Sequence, residues 1–435
     1  MSSPSNGIAP SDRMPMPGGT LQVEMLEALA KPKSIYEFCS QLPYLSDALK
    51  KDPVLQTKKF PRMVLLLHSI DRTALHAIVA GTVAYSAFTG MSTWLKTPDE
   101  MEGKVPGVYV IGLARLGELG RFLNILETLK LIDGLERYIK GARLCKTRQS
   151  FGSMNSAETE LVKWVGEVDL FGGSAIVSGT IPSPQCIQSD AEFPKIEAVI
   201  DMFKRCCNWN LDPTGKVRQI QSPLYVGCSK DLRTRTSAYK RTARGGLANV
   251  NKPLCLVVNT LEALKLPVDL SVQIAVRTWD GIPLPVAERL VTTVACSFVY
   301  QHGFNAIEAG GTGPPKPDGG VLEKSAELLL GFKDTFRENL ANTLIEIEER
   351  TEFMDNLANS INRVPDLIQR ADDLAQREPQ LHGATAQQNI QALKDKHEQL
   401  CGKREQLIRE ARLHQFAIDI TEMLLGKRKV GDSSQ

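Results

Sequence analysis

Three short segments rich in β-branched and aromatic residues stand between much longer helical patterns, and they limit the folds open to this chain. The segments are VPGVYVIGLA, which begins at Val105, LYVG, which ends at Gly227, and LSVQIAVRTW, which begins at Leu270. Composition of this kind is typical of strands. Elsewhere, apolar residues recur three and four positions apart, which predicts helices. We therefore predict an α+β fold in which helices flank a small antiparallel sheet.

The sequence changes character at several positions, and these changes predict the domain boundaries. The first 19 residues are polar and rich in Pro and Gly, as is typical of a disordered tail. KTPDEMEGK separates the first helical patterns from the first strand, and GFNAIEAGGTGPPKPDGG precedes a charged helical region. We predict a disordered tail (1–20), a helical region (21–104), an α+β domain (105–318) with a mostly helical insert at about 113–221, a coiled-coil or helical region (319–427) and a basic and polar tail (428–435).

The C-terminal region carries the spacing of a coiled coil. Pro365 and the EPQLHGA stretch are expected to interrupt it. We expect two helical segments that pair either with each other as a hairpin or with a second chain as a homodimer, and the unequal heptad quality favours the dimer. The residues that carry this spacing are Leu340, Leu344, Ile347, Thr351, Met354, Ala358, Ile361, Leu393, Leu400 and Leu407.

Charge and cysteine usage bear on the location of the protein. A net charge of +2 gives no overall polyanion-binding signature, so DNA binding would have to use local basic patches. The nine cysteines are odd in number and contain no C-x-x-C pair, which favours a reducing, intracellular compartment. The N-terminus lacks the pattern of a secretory signal. The C-terminal GKRKVGDSSQ is either a nuclear-import patch or a frayed, solvated end.

One uncharged stretch, from Thr73 to Leu95, approaches the roughly 20 residues that span a bilayer. His76 and many Thr, Ser, Gly and Ala residues dilute its hydrophobicity. We interpret it as a buried helix pair rather than a membrane helix, and we expect no membrane partner.

Five widely separated residues form a pattern that suits catalysis. Tyr109 ends a Gly-Val-Tyr sequence in the first strand, and Tyr225 begins a Tyr-Val-Gly sequence in the second. Arg235 follows Tyr225 by ten residues on a basic helix, Glu288 lies in a helix that starts with PVAERL, and Asn305 ends a Gly-Phe-Asn turn. In residue type and order, these positions resemble the motifs of the GIY-YIG nuclease superfamily.

The resemblance covers about residues 105–113 and 222–315, and it implies a nuclease domain in which these five residues are catalytic. The family usually places only a short hairpin loop between its two tyrosines, whereas more than a hundred residues separate them here. Such an insert is tolerable because the entropy of loop closure grows only logarithmically with length. SKDLRTRTSAY also resembles the start of the family's helix, so Lys230 and Arg233 are expected to bind phosphate.

The same residues suit phosphodiester hydrolysis on chemical grounds. The reaction needs a positioned water, an acceptor for its proton, a cation near the phosphate oxygens and a metal ion that neutralises charge. Glu288 offers a hard oxygen ligand for Mg²⁺ or Mn²⁺, and the planar fork of Arg235 can grip a phosphate. Tyr109 and Tyr225 would bracket the attacking water, and one could act as base if the metal and the arginine lower its pKa from about 10.

Each residue also has an ordinary structural explanation. A strand tyrosine commonly packs in a half-buried position, and a helix arginine is commonly a solvated surface group. Glu288 could be an acid favoured by the helix dipole, and Asn305 could be a turn former. The joint pattern predicts a metal-dependent DNA endonuclease. The alternative is a catalytically inactive DNA-binding or scaffolding protein that assembles through its coiled coil.

Overall fold

The structure is a computed structural model. It describes residues 19–30, 35–42, 60–100, 102, 104–147, 151–174, 180–248, 250–278, 284–306, 333–377, 391–392 and 394–403. Before the first strand lie α1 (Thr20–Ala30), α2 (Tyr36–Gln41), α3 (Phe60–His68), α4 (Arg72–Ala80) and α5 (Val83–Thr89). The central part contains β1 (Gly107–Arg115), α6 (Ile125–Thr147), α7 (Ser156–Phe171), α8 (Phe193–Cys206), β2 (Tyr225–Ser229), α9 (Leu232–Ser237), α10 (Lys252–Ala263), β3 (Val268–Arg277) and α11 (Leu284–Val294). The long helix α12 (Lys333–Arg377) follows.

The three strands form one antiparallel sheet in the order β2-β1-β3. In the pairing of β1 with β2, Tyr109 lies opposite Gly227 and Ile111 lies opposite Tyr225. On its other side, β1 pairs with β3 along its whole length, with a register shift just before Tyr109. The predicted α+β fold with a small antiparallel sheet is therefore confirmed.

The two ends of the insert lie side by side. The Phe122 N–H donates to the Gln219 carbonyl at 2.7 Å, and the Leu113 N–H donates to Ser222 Oγ at 2.9 Å. Because β1 and β2 are hydrogen-bonded neighbours, the chain returns to the sheet where it left. The insert thus occupies the place of a hairpin loop, which is the arrangement that makes its length tolerable.

Helices cover both faces of the sheet, and the alternation of side chains along β1 shows which helix lies where. Tyr109 shares a hydrophobic core with α6, α7, α8 and α10. Val108 and Val110 share the opposite core with α1, α2, α3, α4 and α11. The N-terminal helices and the central domain are therefore built around a common sheet.

The uncharged stretch that begins at Thr73 contains α4 and α5, which form a buried helix pair as predicted. Gly81 joins them in the left-handed conformation, with a φ of 72°. Helix α5 comes so close to β1 that a Cβ at Gly112 would lie 2.9 Å from the Ala84 nitrogen. Among the described residues, no helix combines the length and the apolar character needed to cross a membrane.

Helix α12 corrects one prediction, because it runs through Pro365 without a break. A proline removes one hydrogen bond from the helix ladder, and the exposed position of Pro365 lets water reach that side of the helix. Residues 394–403 are also helical, and Lys394 Nζ lies 3.5 Å from Asp372 Oδ2, so the two segments touch within one chain. The coiled coil stays a prediction. Residues 1–18, the 307–332 boundary, the EPQLHGA stretch, Leu393, Leu407 and the C-terminal tail lie outside the described residues.

Candidate active site

Three tyrosines meet on one face of the sheet. Tyr109 comes from β1, Tyr225 from the start of β2, and Tyr239 from the segment just after α9. The ring centroids are 6.4 Å apart for Tyr109 and Tyr225, 5.6 Å for Tyr109 and Tyr239, and 6.1 Å for Tyr225 and Tyr239. We name these three residues the tyrosine cluster. The structure thus brings together two predicted residues that are more than a hundred positions apart in the sequence.

Gly227 makes room for the tyrosine cluster. It lies opposite Tyr109 on the neighbouring strand, and a Cβ at Gly227 would lie 2.4 Å from Tyr109 Oη. The Tyr109 ring therefore occupies the space that a side chain on β2 would take. The paired Gly-x-Tyr and Tyr-x-Gly sequences have a packing reason that holds whether or not the protein is an enzyme.

Helix α9 brings Arg235 to the tyrosine cluster. Asp231 caps this helix, because its Oδ1 accepts a hydrogen bond from the Thr234 N–H at 3.0 Å. One turn later, Arg235 Nε donates to Tyr109 Oη at 3.1 Å, and its guanidinium lies 5.7 Å from the centre of the Tyr239 ring. The hydroxyl groups of Tyr109 and Tyr239 are 2.9 Å apart. Arg235 and two tyrosines therefore form one hydrogen-bonded chain.

The tyrosine cluster is largely shielded from water. Tyr109 is 0% exposed and Tyr239 is 5% exposed, whereas Tyr225 is half-buried. Burial raises the pKa of Tyr109 above its usual value, Tyr225 adds to this shift, and Tyr239 and Arg235 oppose it. Burial also raises the pKa of Tyr239. Tyr109 thus does not have the lowered pKa that a base would need, and its phenol stays protonated at neutral pH.

Glu288 approaches from the opposite face of the sheet. It lies on α11, which packs with Val226 and Cys228 in the core that excludes Tyr109. The Cys228 thiol is hydrogen-bonded to the Glu288 carboxylate. Burial and this carboxylate raise the pKa of Cys228 to about 12, while the charge of Arg235 lowers it. Glu288 therefore lies beside the end of β2, where its carboxylate meets Cys228.

Asn305 supports the outer edge of β2. Its Oδ1 accepts from the Val226 N–H at 2.9 Å, and its Nδ2 donates to the Val226 carbonyl at 2.7 Å. The Phe304 N–H donates to the Leu224 carbonyl at 2.9 Å, and a Cβ at Gly303 would lie 2.4 Å from the same oxygen. Asn305 is 6% exposed. The Gly-Phe-Asn turn therefore continues the hydrogen bonding of the sheet, and Asn305 holds the strand that carries Tyr225.

The predicted phosphate-binding residues lie away from the tyrosine cluster. Arg233 is two positions before Arg235, so the two side chains leave α9 on different sides. Arg233 forms an ion pair with Glu100 and lines an open cleft of about 480 Å³. Lys230 precedes the helix and is exposed. A phosphate bound by Arg233 would therefore lie beside the tyrosine cluster and not within it.

The donor set at Glu288 limits the metal that this region can hold. Within the described residues, no three His, Cys, Asp or Glu side chains gather into a group that could bind a metal ion. A hydrated Mg²⁺ or Mn²⁺ needs only one or two carboxylates, and the half-buried Glu288 supplies one. The neighbouring Cys228 thiol is a soft donor, which Mg²⁺ and Mn²⁺ favour less than oxygen. Glu288 thus fits a hydrated hard cation.

Two residues of this region were missed by the sequence analysis. Tyr239 follows Arg235 by four residues, a spacing that puts two side chains on one side of a helix, and this spacing was an available signal. Cys228 lies inside a motif that was recognised, directly after Gly227. Its contact with Glu288 depends on how α11 packs against β2, and no local pattern reveals that packing.

Comparisons with known proteins add no relative: the chain matches no protein-family model, no curated protein and no solved structure. The fold and the site define an α+β protein with a partly buried arginine–tyrosine network on one face of a three-stranded antiparallel sheet.

Proposed function

We propose that the protein is a metal-dependent DNA endonuclease that hydrolyses phosphodiester bonds with a site of the GIY-YIG type. The observation that carries the proposal is the meeting of Arg235 with the tyrosine cluster. Burial disfavours the charged guanidinium, whereas its hydrogen bond to Tyr109 and its position over the Tyr239 ring favour it. Phosphate oxygens are the further acceptors that suit a guanidinium held in this way.

Arg235 is the phosphate-binding residue of this proposal. Its Nε is held by Tyr109, which fixes the plane of the guanidinium, and its terminal N–H groups are the donors that match two phosphate oxygens. A donor that is fixed before the substrate arrives stabilises developing charge without reorganising. Tyr109 and Tyr239 are therefore positioning residues that act through Arg235.

Tyr225 is the tyrosine that a substrate can reach, because it is half-buried while the other two are almost fully enclosed. Its phenol oxygen would accept a hydrogen bond from the attacking water. Asn305 contributes by holding the backbone of the next residue, Val226, through two hydrogen bonds. This division of roles replaces the expectation that Tyr109 and Tyr225 bracket the water together.

Glu288 would hold the Mg²⁺ or Mn²⁺ ion at the end of β2, where the Glu288 carboxylate and the charge of Arg235 both act on Cys228. An ion bound there would neutralise negative charge on the phosphate. Cys228 has a supporting part, because its thiol orients the carboxylate through a hydrogen bond.

The test is cleavage of plasmid and branched DNA in the presence of Mg²⁺ or Mn²⁺. We expect Glu288→Gln and Glu288→Ala to lower turnover by about a hundredfold or more, because a metal ligand contributes several kcal/mol of transition-state stabilisation. Glu160→Gln is the matched control, since Glu160 is an exposed acid on α7 that forms an ion pair with the exposed Lys163. Equal cleavage by wild type and the Glu288 variants, or no cleavage by any of them, would contradict the proposal.

The second candidate is a catalytically inactive DNA-binding or scaffolding protein. The burial of Tyr109 and the use of Asn305 as a backbone brace favour it, since both are ordinary structural roles. Helix α11, which carries Glu288, also shares its core with the N-terminal helices and not with the tyrosine cluster. DNA binding that is unaffected by Glu288→Ala, together with no cleavage, would support this candidate.

We also propose a homodimer formed through α12. Phe353 is 62% exposed and Leu367 is 58% exposed, and both are large apolar side chains on the long helix. A second copy of the chain could cover them. Two copies would hold two cleavage sites at a fixed separation and could cut both strands of a duplex.

The basic C-terminal tail favours a nuclear location, which we propose together with the action on DNA.

A further inference from the structure

A polar cleft of about 480 Å³ opens beside α9, on the side of the helix that carries Arg233. Its cationic lining residues are Lys104, Arg233 and Lys240, and its acidic lining residues are Glu100 and Asp231. Arg235, on the same helix, faces the tyrosine cluster instead. The helix thus has a basic cleft on one side and the candidate active site on the other.

The two acids of the cleft differ in how firmly they are held. Asp231 caps α9, accepting from the Thr234 N–H at 3.0 Å and from Thr234 Oγ1 at 2.8 Å. The first of these bonds, with help from the charges of Lys104 and Arg233, keeps the pKa of Asp231 below its usual value. Asp231 is therefore committed to the helix and remains a fixed part of the cleft.

Glu100 is held only loosely. It forms an ion pair with Arg233, and the Glu100 side chain is 79% exposed while that of Arg233 is 42% exposed. Ion pairs that are this accessible to water contribute little to stability and are screened by salt. A stronger anion can therefore displace Glu100 from Arg233 without disturbing the helix cap.

The Glu100 carboxylate offers Arg233 the same kind of hydrogen-bond acceptor as a phosphate would. Carboxylate and phosphate oxygens both match the planar guanidinium fork. Once Glu100 is displaced, three cations and one acid line the cleft, and that acid, Asp231, already caps α9. Ser237, one turn after Arg233, lies in the same lining, where its hydroxyl donates to the Thr234 carbonyl at 2.8 Å.

From this geometry we infer that the cleft is a second backbone-phosphate subsite for DNA, in which Glu100 occupies Arg233 until a phosphate displaces it. The inference rests on the proposed function, because it takes DNA as the polyanion. A DNA strand suits this cleft because three cations, Lys104, Arg233 and Lys240, line it, and a DNA backbone offers successive phosphates. One strand would place a flanking phosphate in the cleft and the scissile phosphate at Arg235.

The experiment measures equilibrium binding of a fluorescein-labelled duplex of about 20 base pairs by anisotropy, with EDTA present so that cleavage cannot occur. The full-length chain is compared with Glu100→Gln, Arg233→Ala and the double variant. Because an exposed ion pair contributes little, we expect Glu100→Gln to tighten DNA binding by about two- to fivefold. We expect Arg233→Ala to weaken binding and to reduce the slope of log K against log salt by about 1.

The double variant decides whether Glu100 acts through Arg233. We expect it to bind like Arg233→Ala alone, because Glu100 then has no arginine to release. Glu160→Gln removes the same charge from an exposed acid on α7 and is expected to leave the affinity unchanged. A gain with Glu160→Gln equal to that with Glu100→Gln would overturn the inference, and so would a gain that persists without Arg233.

Three further outcomes separate this inference from a small-anion site and from the nuclease proposal. If Glu100→Gln strengthens binding of inorganic phosphate, measured by calorimetry, but leaves DNA affinity unchanged, the cleft is a small-anion site and the inference is wrong. If cleavage depends on Glu288 but Glu100→Gln has no effect on DNA affinity, the result supports the nuclease proposal and contradicts the phosphate subsite. The expected pattern of DNA affinities without any cleavage would support the subsite and contradict the nuclease proposal.

Discussion

Burial gives the three tyrosines different chemistry, although their ring centroids lie only 5.6 to 6.4 Å apart. Tyr109 and Tyr239 have little or no contact with water, and their raised pKa values follow from that. Tyr225 sits at the first position of β2 and keeps part of its surface exposed. At the scale of single residues, the site is an arginine held by two enclosed phenols beside a third that a substrate can reach.

Arg235→Ala should lower DNA-cleaving turnover by about a hundredfold or more, because it removes a preorganised donor to the charged phosphate. Arg233→Ala should act mainly on affinity, because its side chain lines the cleft and not the tyrosine cluster. Steady-state kinetics would separate the two effects as kcat for Arg235 and KM for Arg233. Equal losses from both variants would indicate that the two arginines bind the DNA backbone without distinction.

Gly227→Ala should destabilise the protein by about 1–3 kcal/mol, because the new Cβ would lie 2.4 Å from Tyr109 Oη and force the ring to move. The matched control is Gly166→Ala within α7, where the nearest atom is 3.9 Å away. There the alanine should stabilise the helix by about 0.5–1 kcal/mol. Urea unfolding checks both signs, and a neutral Gly227→Ala would show that the Tyr109 ring is not confined against β2.

At the scale of secondary-structure elements, α12 is attached to the N-terminal helices by buried polar contacts. Asn339 Nδ2 donates to the His68 and Ile70 carbonyls at 3.0 and 3.1 Å. His68 Nδ1 lies 2.7 Å from the Val64 carbonyl, so Nδ1 carries a proton, and Nε2 lies 2.8 Å from Thr343 Oγ1. Burial favours the neutral imidazole at this position.

The neutral His68 should make the protein acid-sensitive. Burial lowers the pKa of His68 from 6.5 to about 4, so between these pH values the unfolded chain binds a proton that the folded chain does not. Stability should therefore fall as the pH drops through this window, by at most about 1.4 kcal/mol per pH unit. His68→Gln should remove this pH-dependent part of the unfolding free energy, which urea unfolding at pH 7.5 and 5 would measure. An equal loss of stability at pH 5 in wild type and variant would contradict the role of His68.

At the scale of the whole molecule, the sheet is shared by parts of the chain that lie far apart. The insert helices α6, α7 and α8 bury the face that carries Tyr109, and the N-terminal helices bury the other. Neither set can be removed without exposing one side of β1, which is buried along nearly its whole length. Tests of assembly are therefore best made by single substitutions in the full chain.

Light scattering at micromolar concentration should find a dimer for the wild type. Phe353→Glu and Leu367→Glu should shift it to a monomer, because they place a charge where an apolar contact is proposed. Asn362→Glu adds the same charge at an exposed polar position of α12 and should leave the dimer intact. A monomeric wild type would show that the dimer proposal is wrong.

Local patterns in the sequence were sufficient to predict the secondary-structure elements and part of the candidate site. Strand composition located β1, β2 and β3, and the spacing of apolar residues located the helices, because both depend on near neighbours in the chain. The order of Tyr109, Tyr225 and Arg235 predicted a shared site, and the structure places all three in contact. The break predicted at Pro365 was wrong, because one missing hydrogen bond does not end a long helix whose proline side faces water.

Only the tertiary structure decided which face of the sheet each residue occupies and how much water reaches it. Glu288 belongs to a helix on the far face and meets Cys228, and Asn305 is enclosed as a brace for Val226. Tyr239 lies in the site, and Glu100 forms an ion pair with Arg233, which is more than a hundred residues away in the sequence. Sequence spacing fixes neighbours along a chain, whereas burial, pKa and ion pairing depend on neighbours in space, which only the packing of helices on the sheet brings together.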